Sequence, residues 1–373
     1  LLLLLILVGC SKDPLNYQLL TERDGVHYRM DNNKIYSGPV FNIDGRSKGY
    51  IKKGKWDGEF EFYHSNGQLS SVRTYKNGKE DGPYKSYYEN GQLKEDKTYK
   101  DGSEDGPYKS YYENGILSSE RKYKNGKQDG PSKVYYENGQ LKEEGTFKDD
   151  KRDRLWKWYY ENGQLKEEVT YKDNIEDGPY KYYIENGQLK SELTLKDGKE
   201  DGPFKYYFDN GQLQSEGTNK DGKGNGLWKR YYKNGQLKEE VTYKDNIEDG
   251  PYKKYYDDGK LEEEGTYKNR NKEGTIVRYR SGKLEGKEGR QETYYKDGKL
   301  DGPIKQYNKN ELLILEGFYK NGVRIGLWKT YYNNGQLQLK GSYKNGKKEG
   351  LFKSYYENGL LKRERTFKDG KII

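Results

Sequence analysis

The stretch YKNGKEDGPYKSYYENGQLKEDKTYK, Tyr75 to Lys100, decides the fold. It holds two turn signals, Asn90-Gly91 and Asp101-Gly102, and two Tyr-rich runs of strand length, PYKSYYE and QLKEDKTYK. Asn-Gly and Asp-Gly favour the type I′ turn, because both central residues need positive φ. Aromatic residues in short runs suit pleated strands. No stretch carries a sustained helical period of apolar residues. The segment therefore reads as a β-hairpin.

The same unit recurs on both sides. Its leading glycine falls at Gly58, Gly82, Gly106, Gly130, Gly178, Gly202, Gly226, Gly250 and Gly274, in steps of 24, or 48 across Asp153-Arg154. The step slips to 28 at Gly302 and returns to 24 at Gly326 and Gly350, which makes thirteen units. A looser unit opens at Gly38. Such periodicity means one supersecondary unit stacked on copies of itself. The expected fold is all-β: an elongated, single-layer antiparallel meander or solenoid of tandem hairpins over residues 36–373, with residues 11–35 as a tether. Of nine prolines, eight occupy one place in the unit (Pro39, Pro83, Pro107, Pro131, Pro179, Pro203, Pro251, Pro303). They are expected to open the first strand, where a missing N–H is tolerated.

Composition agrees with this reading. Only 30% of the 373 residues are hydrophobic, too few for conventional cores, yet the chain holds 41 Tyr and 47 Gly. Seventy basic residues nearly balance 61 acidic ones. A net charge of +9 spread along the whole chain is not a nucleic-acid footprint. One Cys excludes an intrachain disulfide framework and a thiolate zinc site. The two His, His27 in the tether and His64 in place of a turn-proximal Tyr, read as structural or incidental. Acidic residues beside the turn glycines lack calcium-loop spacing and read as turn chemistry. No metal, cofactor or catalytic constellation is expected, and so no enzyme.

Alternation assigns faces. Tyr84, Tyr88, Leu93 and Tyr99 should share an apolar face, as should Trp156, Tyr160, Leu165 and Tyr171. Lys85, Tyr87, Lys94, Asp96 and Thr98 should share the polar face. A two-residue Asn-Gly turn would set Lys85 opposite Asp96 and Tyr87 opposite Lys94. Later units would pair Lys133 with Glu144, Lys157 with Glu168, and Lys181 with Glu192. With nothing to cover the apolar stripe, either the sheet curls so that neighbouring rings pack together, or two chains bury it as a homodimer. The four extra residues near Gly286 to Gly289 are even in number and preserve the faces.

The units resemble the MORN repeat, most closely its bacterial variant form. The matching string is YKNGKEDGPYKSYYENGQLKE, Tyr75 to Glu95, repeated down the chain. GYIKKGKWDGEFEFY, Gly49 to Tyr63, is similar to the ordinary MORN pattern of Tyr, Gly, Trp and Gly. The resemblance implies a single-sheet hairpin array serving as scaffold, dimerisation surface, or lipid- or protein-binding module. Bacterial variant arrays are often labelled antitoxin-like.

The chain opens LLLLLILVGC. That apolar run is too short to span a bilayer and fits the h-region of a signal peptide, residues 1–10, whose charged n-region is missing here. Leu7-Val8-Gly9-Cys10 resembles a bacterial lipobox, which implies lipid attachment at Cys10 and a membrane anchor. By resemblance to Gram-negative lipoproteins, Ser11 favours the outer membrane.

The most regular residue is a tyrosine five positions after each leading glycine: Tyr87, Tyr111, Tyr135, Tyr159, Tyr183, Tyr207, Tyr231, Tyr255, Tyr331 and Tyr355, with Tyr63, Tyr279 and Tyr307. It is either a structural ladder of rings packed on Lys stems or a ligand track for peptides, glycans or lipid headgroups. The function expected is a non-enzymatic, membrane-anchored scaffold of the cell envelope that binds a protein partner, in an adhesive role among others. One alternative is a carbohydrate- or cell-wall-binding module, since KYYFDNGQL, Lys205 to Leu213, resembles choline- and glucan-binding hairpins. An antitoxin-like or immunity role is the other.

Overall fold

The computed structural model describes residues 13–280 and 289–373, so Cys10 and the residues between Arg280 and Gly289 lie outside it. The described residues form two compact units that divide after Gly187. Both are all-β, without α-helix. In each, successive strands pair with their sequence neighbours as an open antiparallel meander of tandem hairpins.

The two turns of each hairpin differ. Asp101 (φ 52°) and Gly102 (φ 89°) both have positive φ, and Lys100 faces Ser103, as a type I′ turn requires. At Asn90-Gly91 only the glycine has positive φ. Tyr88 accepts from the Gly91 N–H and donates its own N–H to the Gln92 carbonyl, giving a three-residue loop, Glu89-Asn90-Gly91. The asparagine is spent on side-chain bonds: Asn90 accepts from the Gln92 N–H at 2.9 Å and donates to the Glu113 carbonyl of the next loop at 3.1 Å.

This wider loop shifts the register by one, so Tyr87 faces Leu93, not Lys94 as expected. A bulge at Lys94 then restores the register, and Lys85 faces Asp96 as expected. The consequence is a correction to the faces. Leu93 and Leu165 leave the ring face and pair with Tyr87 and Tyr159 on the polar face. The prolines also sit differently. Pro83 lies inside the strand Lys79–Tyr87, where Asp81-Gly82 bulge away from Thr74 and no donor is needed on that side.

The extra residues of the longer unit do leave the faces intact. Arg280 pairs with Gly289, and Ile276 still faces Thr293 on the ring side, both buried.

The ring face holds each unit together without a second layer. Trp156 is fully buried. Its indole lies across the backbone of Gly145, where a Cβ would come within 2.2 Å of the ring. Phe147 meets it edge-on at 4.8 Å, and the Arg152 guanidinium lies 4.5 Å from its centroid. Rings from neighbouring strands thus pack on one another within the chain, as one of the two expected ways to cover the stripe requires. The face is less apolar than expected. Ser86, Ser119 and Ser191 are buried in it, and so is Glu263. That carboxylate binds Tyr252 (2.7 Å), Lys272 (2.6 Å) and Arg278 (2.9 Å). Burial alone would raise its pKa, but the bonds from Lys272, Tyr252 and Arg278 outweigh burial and hold it at about 2.

The stretch expected as a tether is ordered from residue 13. Leu15–Asn16 pairs in parallel with Val40 and Phe41, and Leu20–Arg23 forms a hairpin with Val26–Arg29. Leu20 and Tyr36 complete a cluster with Val40, Ile51 and Phe60 that closes the end of the ring face. Repeat arrays need such a cap because an end unit lacks one neighbour. His27 belongs to it. Its Nδ1 donates to the Gly54 carbonyl at 2.9 Å, which leaves Nε2 to accept from the Tyr17 hydroxyl at 2.8 Å.

Candidate functional site

The candidate site is the polar face. Each hairpin contributes three cross-strand pairs to it, shown by Pro83–Thr98, Lys85–Asp96 and Tyr87–Leu93. Repetition turns these into three rows that cross the strands.

In the middle row, lysine and glutamate alternate. Lys133 faces Glu144, which faces Lys157, which faces Glu168. Glu120, Glu144, Glu168, Glu192, Glu216, Glu240, Glu264 and Glu316 each have a lysine across the strand and a tyrosine from the next hairpin. Glu144 lies 3.9 Å from Lys133 and accepts the Tyr159 hydroxyl at 2.8 Å. Glu316 lies 2.8 Å from both Lys329 and the Tyr331 hydroxyl. The interval of fifteen residues holds for Tyr135 with Glu120, Tyr183 with Glu168, Tyr207 with Glu192, Tyr231 with Glu216, and Tyr255 with Glu240. Tyr279 does the same with Glu264.

Both partners feel this geometry. Burial, then the bond to a carboxylate, pushes the Tyr135, Tyr207 and Tyr231 hydroxyls up to about 12. Tyr159 moves the same way for the same reasons. The Lys329 and Tyr331 bonds lower the Glu316 carboxyl. A neutral phenol donating to an ionised carboxylate is poor at nucleophilic or acid–base work and good at tying two hairpins together.

Three of the ten candidate tyrosines lack this bond. Fifteen residues before Tyr87, Tyr111 and Tyr355 stand Val72, Asp96 and Lys340. Tyr355 has the Lys340 ammonium 6.0 Å from its ring instead. At Tyr307 the Arg290 guanidinium stacks 4.0 Å from the ring.

Sequence reasoning missed a second ladder. The tyrosine just after the candidate one donates to a backbone carbonyl 23 residues on: Tyr88 to Tyr111, Tyr136 to Tyr159, Tyr160 to Tyr183 and Tyr332 to Tyr355. His64 stands at this position, and its Nε2 lies 3.0 Å from the Tyr87 carbonyl. The regular Tyr-Tyr-Glu-Asn-Gly string carried that signal.

The third row, proline with threonine, is open to solvent. Leucine takes the proline's place at Leu155, Leu227, Leu327 and Leu351, each close to half exposed. Among the described residues no three His, Cys, Asp or Glu side chains are placed to hold a metal ion.

Rows of recurring cross-strand pairs carried by stacked hairpins define a repeat scaffold. The chain belongs to the MORN repeat variant family, whose pattern matches residues 56–77, 80–101, 104–125, 128–149, 155–173, 176–197, 200–221, 225–245, 248–269, 287–302, 324–345 and 348–369. No curated protein matches it. Among solved structures it is similar to a chain of the TcdB2-TccC3-Cdc42 crystal structure, at 12% identity and a TM-score of 0.16, over 94% of this chain and 21% of that one. A chain of the TcdB2-TccC3-TEV crystal structure matches at 11% identity and a TM-score of 0.18, over 92% of this chain and 20% of that one. A chain of the Photorhabdus luminescens Tc holotoxin pore matches at 14% identity and a TM-score of 0.17, over 91% of this chain and 19% of that one. The chain thus spans about a fifth of the length of the structures it matches.

Proposed function

We propose that this chain is a non-enzymatic scaffold of the bacterial cell envelope, held to a membrane by lipid on Cys10, whose polar face binds another protein. The observation that carries this reading is the face itself. Most of its charged row is neutralised by lysine–glutamate pairs, while the row beside it exposes Leu155, Leu227, Leu327 and Leu351 to water. Exposed leucines ranged beside ordered, paired charges suit a protein surface better than a polyanion. Adhesion is one use of such a face, and an antitoxin-like role is another form of the same binding. The half-buried rings of the tyrosine row favour one further reading, a glycan-binding wall module.

A pull-down from envelope extracts, run beside a glycan array, separates these readings. The proposal expects saturable capture of one protein and no glycan binding. Glycan binding without a protein partner would overturn it in favour of the wall module.

A further inference from the structure

Valine interrupts the alternation of lysine and glutamate across the polar face at Val72 and Val277, but like charges face one another in this row at one place among the described residues. Lys329 faces Lys340, and Lys340 faces Lys353. Elsewhere in this row a lysine has acidic or apolar residues as its cross-strand neighbours: Glu240 stands between Lys229 and Lys253, and Glu316 between Lys305 and Lys329. Like charges directly opposite one another destabilise a sheet. Lys329 and Lys353 each retain a carboxylate on the far side, Glu316 at 2.8 Å and Glu364 at 2.5 Å. Lys340 has none within ion-pair distance among the described residues. The same substitution removes the carboxylate that Tyr355 would otherwise bind.

The apolar residues change in the same region. Phe318 takes the place of the usual threonine and is 42% exposed. Leu327 and Leu351, 51% and 46% exposed, flank the three lysines two residues away on their strands. Leu327 and Lys329 also line a shallow hollow of about 460 Å³ that takes in Pro303 and Phe318.

We infer that the lysines at 329, 340 and 353 with Leu327 and Leu351 form the docking site for an extended acidic segment of a partner protein, one that alternates carboxylates with apolar side chains. This rests on the protein-binding reading above and names the partner's chemistry. Complementary charge selects it, since a carboxylate above Lys340 replaces the glutamate missing from the row. Spacing fits as well. Three neighbouring strands span about 9.6 Å, and carboxylates two residues apart on an extended chain are about 6.8 Å apart, so two fit over three lysines. The intervening side chains reach the exposed leucines.

The test uses the full chain and a fluorescein-labelled ten-residue peptide of alternating glutamate and leucine, read by fluorescence anisotropy. Lys340→Glu should weaken binding at least about tenfold and should raise the melting temperature, because it restores the alternation. The double variant Leu327→Ser, Leu351→Ser should also weaken binding. Peptides of glutamate alone, or of glutamate alternating with serine, should bind less tightly than the leucine peptide. The inference is overturned if the unaltered chain does not bind, if Lys340→Glu binds equally well, or if the two leucine-free peptides bind as tightly. If Lys340→Glu captures the same envelope protein as the unaltered chain, this site fails while the scaffold reading stands. If neither captures one, that reading fails.

Discussion

Tyr159 donates its hydroxyl to Glu144 at 2.8 Å, fifteen residues back in the preceding hairpin. Its own carbonyl accepts from Tyr136 at 2.8 Å. One residue is thus tied to its neighbour through side chain and backbone alike. The Tyr159→Phe variant keeps the ring and loses the first tie. A hydrogen bond to a charged, part-exposed partner contributes about 1 kcal/mol. Urea unfolding should show a loss of that size, and an unchanged midpoint would mean the hydroxyl ties nothing.

Alkaline pH should melt the array. The Tyr135, Tyr207 and Tyr231 hydroxyls titrate near 12 in the folded chain, against 10.0 for the free side chain. Between those values the unfolded state has lost protons that the folded state keeps, so stability falls as pH rises. Below pH 10 these tyrosines contribute their full stabilisation. A late fraction of the phenolate absorbance should appear only above about pH 11, together with loss of β-sheet circular dichroism, and replacing Tyr135, Tyr207 and Tyr231 with Phe should shrink it. Full ionisation near pH 10 with the sheet intact would show that the hydroxyls are free.

Acid should strike elsewhere. Glu263 is held at about 2, below its usual 4.5. Its contribution is present above pH 4.5 and is lost as pH falls toward 2. Glu263→Gln strips the charge from beneath Lys272 and Arg278, and with Arg278 half exposed the loss should be about 2 kcal/mol at pH 7. In that variant the fall in stability from pH 4.5 to 2 should shrink. An unchanged acid profile would assign that fall to other carboxylates.

Much of this was legible in the sequence. The step of 24 gave the hairpins, and Asp101-Gly102 gave its turn type correctly. Asn90-Gly91 misled because its asparagine side chain bonds the neighbouring loop, a contact that no dipeptide rule contains. The wider loop then moved Leu93 across the sheet. Tyr87 was found by its regularity, but the carboxylate partner of its equivalents depends on register between hairpins. The cap was hidden for a similar reason: Leu20, His27 and Tyr36 follow no repeat and acquire meaning only against Ile51 and Phe60.

The proposed anchor rests on covalent chemistry. Mass spectrometry of the native protein should find an N-terminal Cys10 carrying acyl chains, which bind membranes at about 0.8 kcal/mol per buried CH2. An unmodified Cys10 within a longer chain would remove the anchor and leave the fold untouched.

The ring face holds the hairpins together and leaves the polar face for the partner proposed above. Residue-resolved hydrogen exchange on Trp156→Ala and Leu165→Asp tests this most directly. Trp156 is fully buried, and its truncation should cost about 3–5 kcal/mol. Leu165 pairs with Tyr159 on the polar face, and its change should cost no more than about 1–2 kcal/mol. Trp156→Ala should speed exchange in the strands Leu141–Lys148, Lys151–Tyr159 and Leu165–Lys172 and leave Lys79–Tyr87 protected, while Leu165→Asp should change only its own turn. If Leu165→Asp opens those strands and Trp156→Ala does not, the tyrosine and leucine rows are the core and the ring face is not.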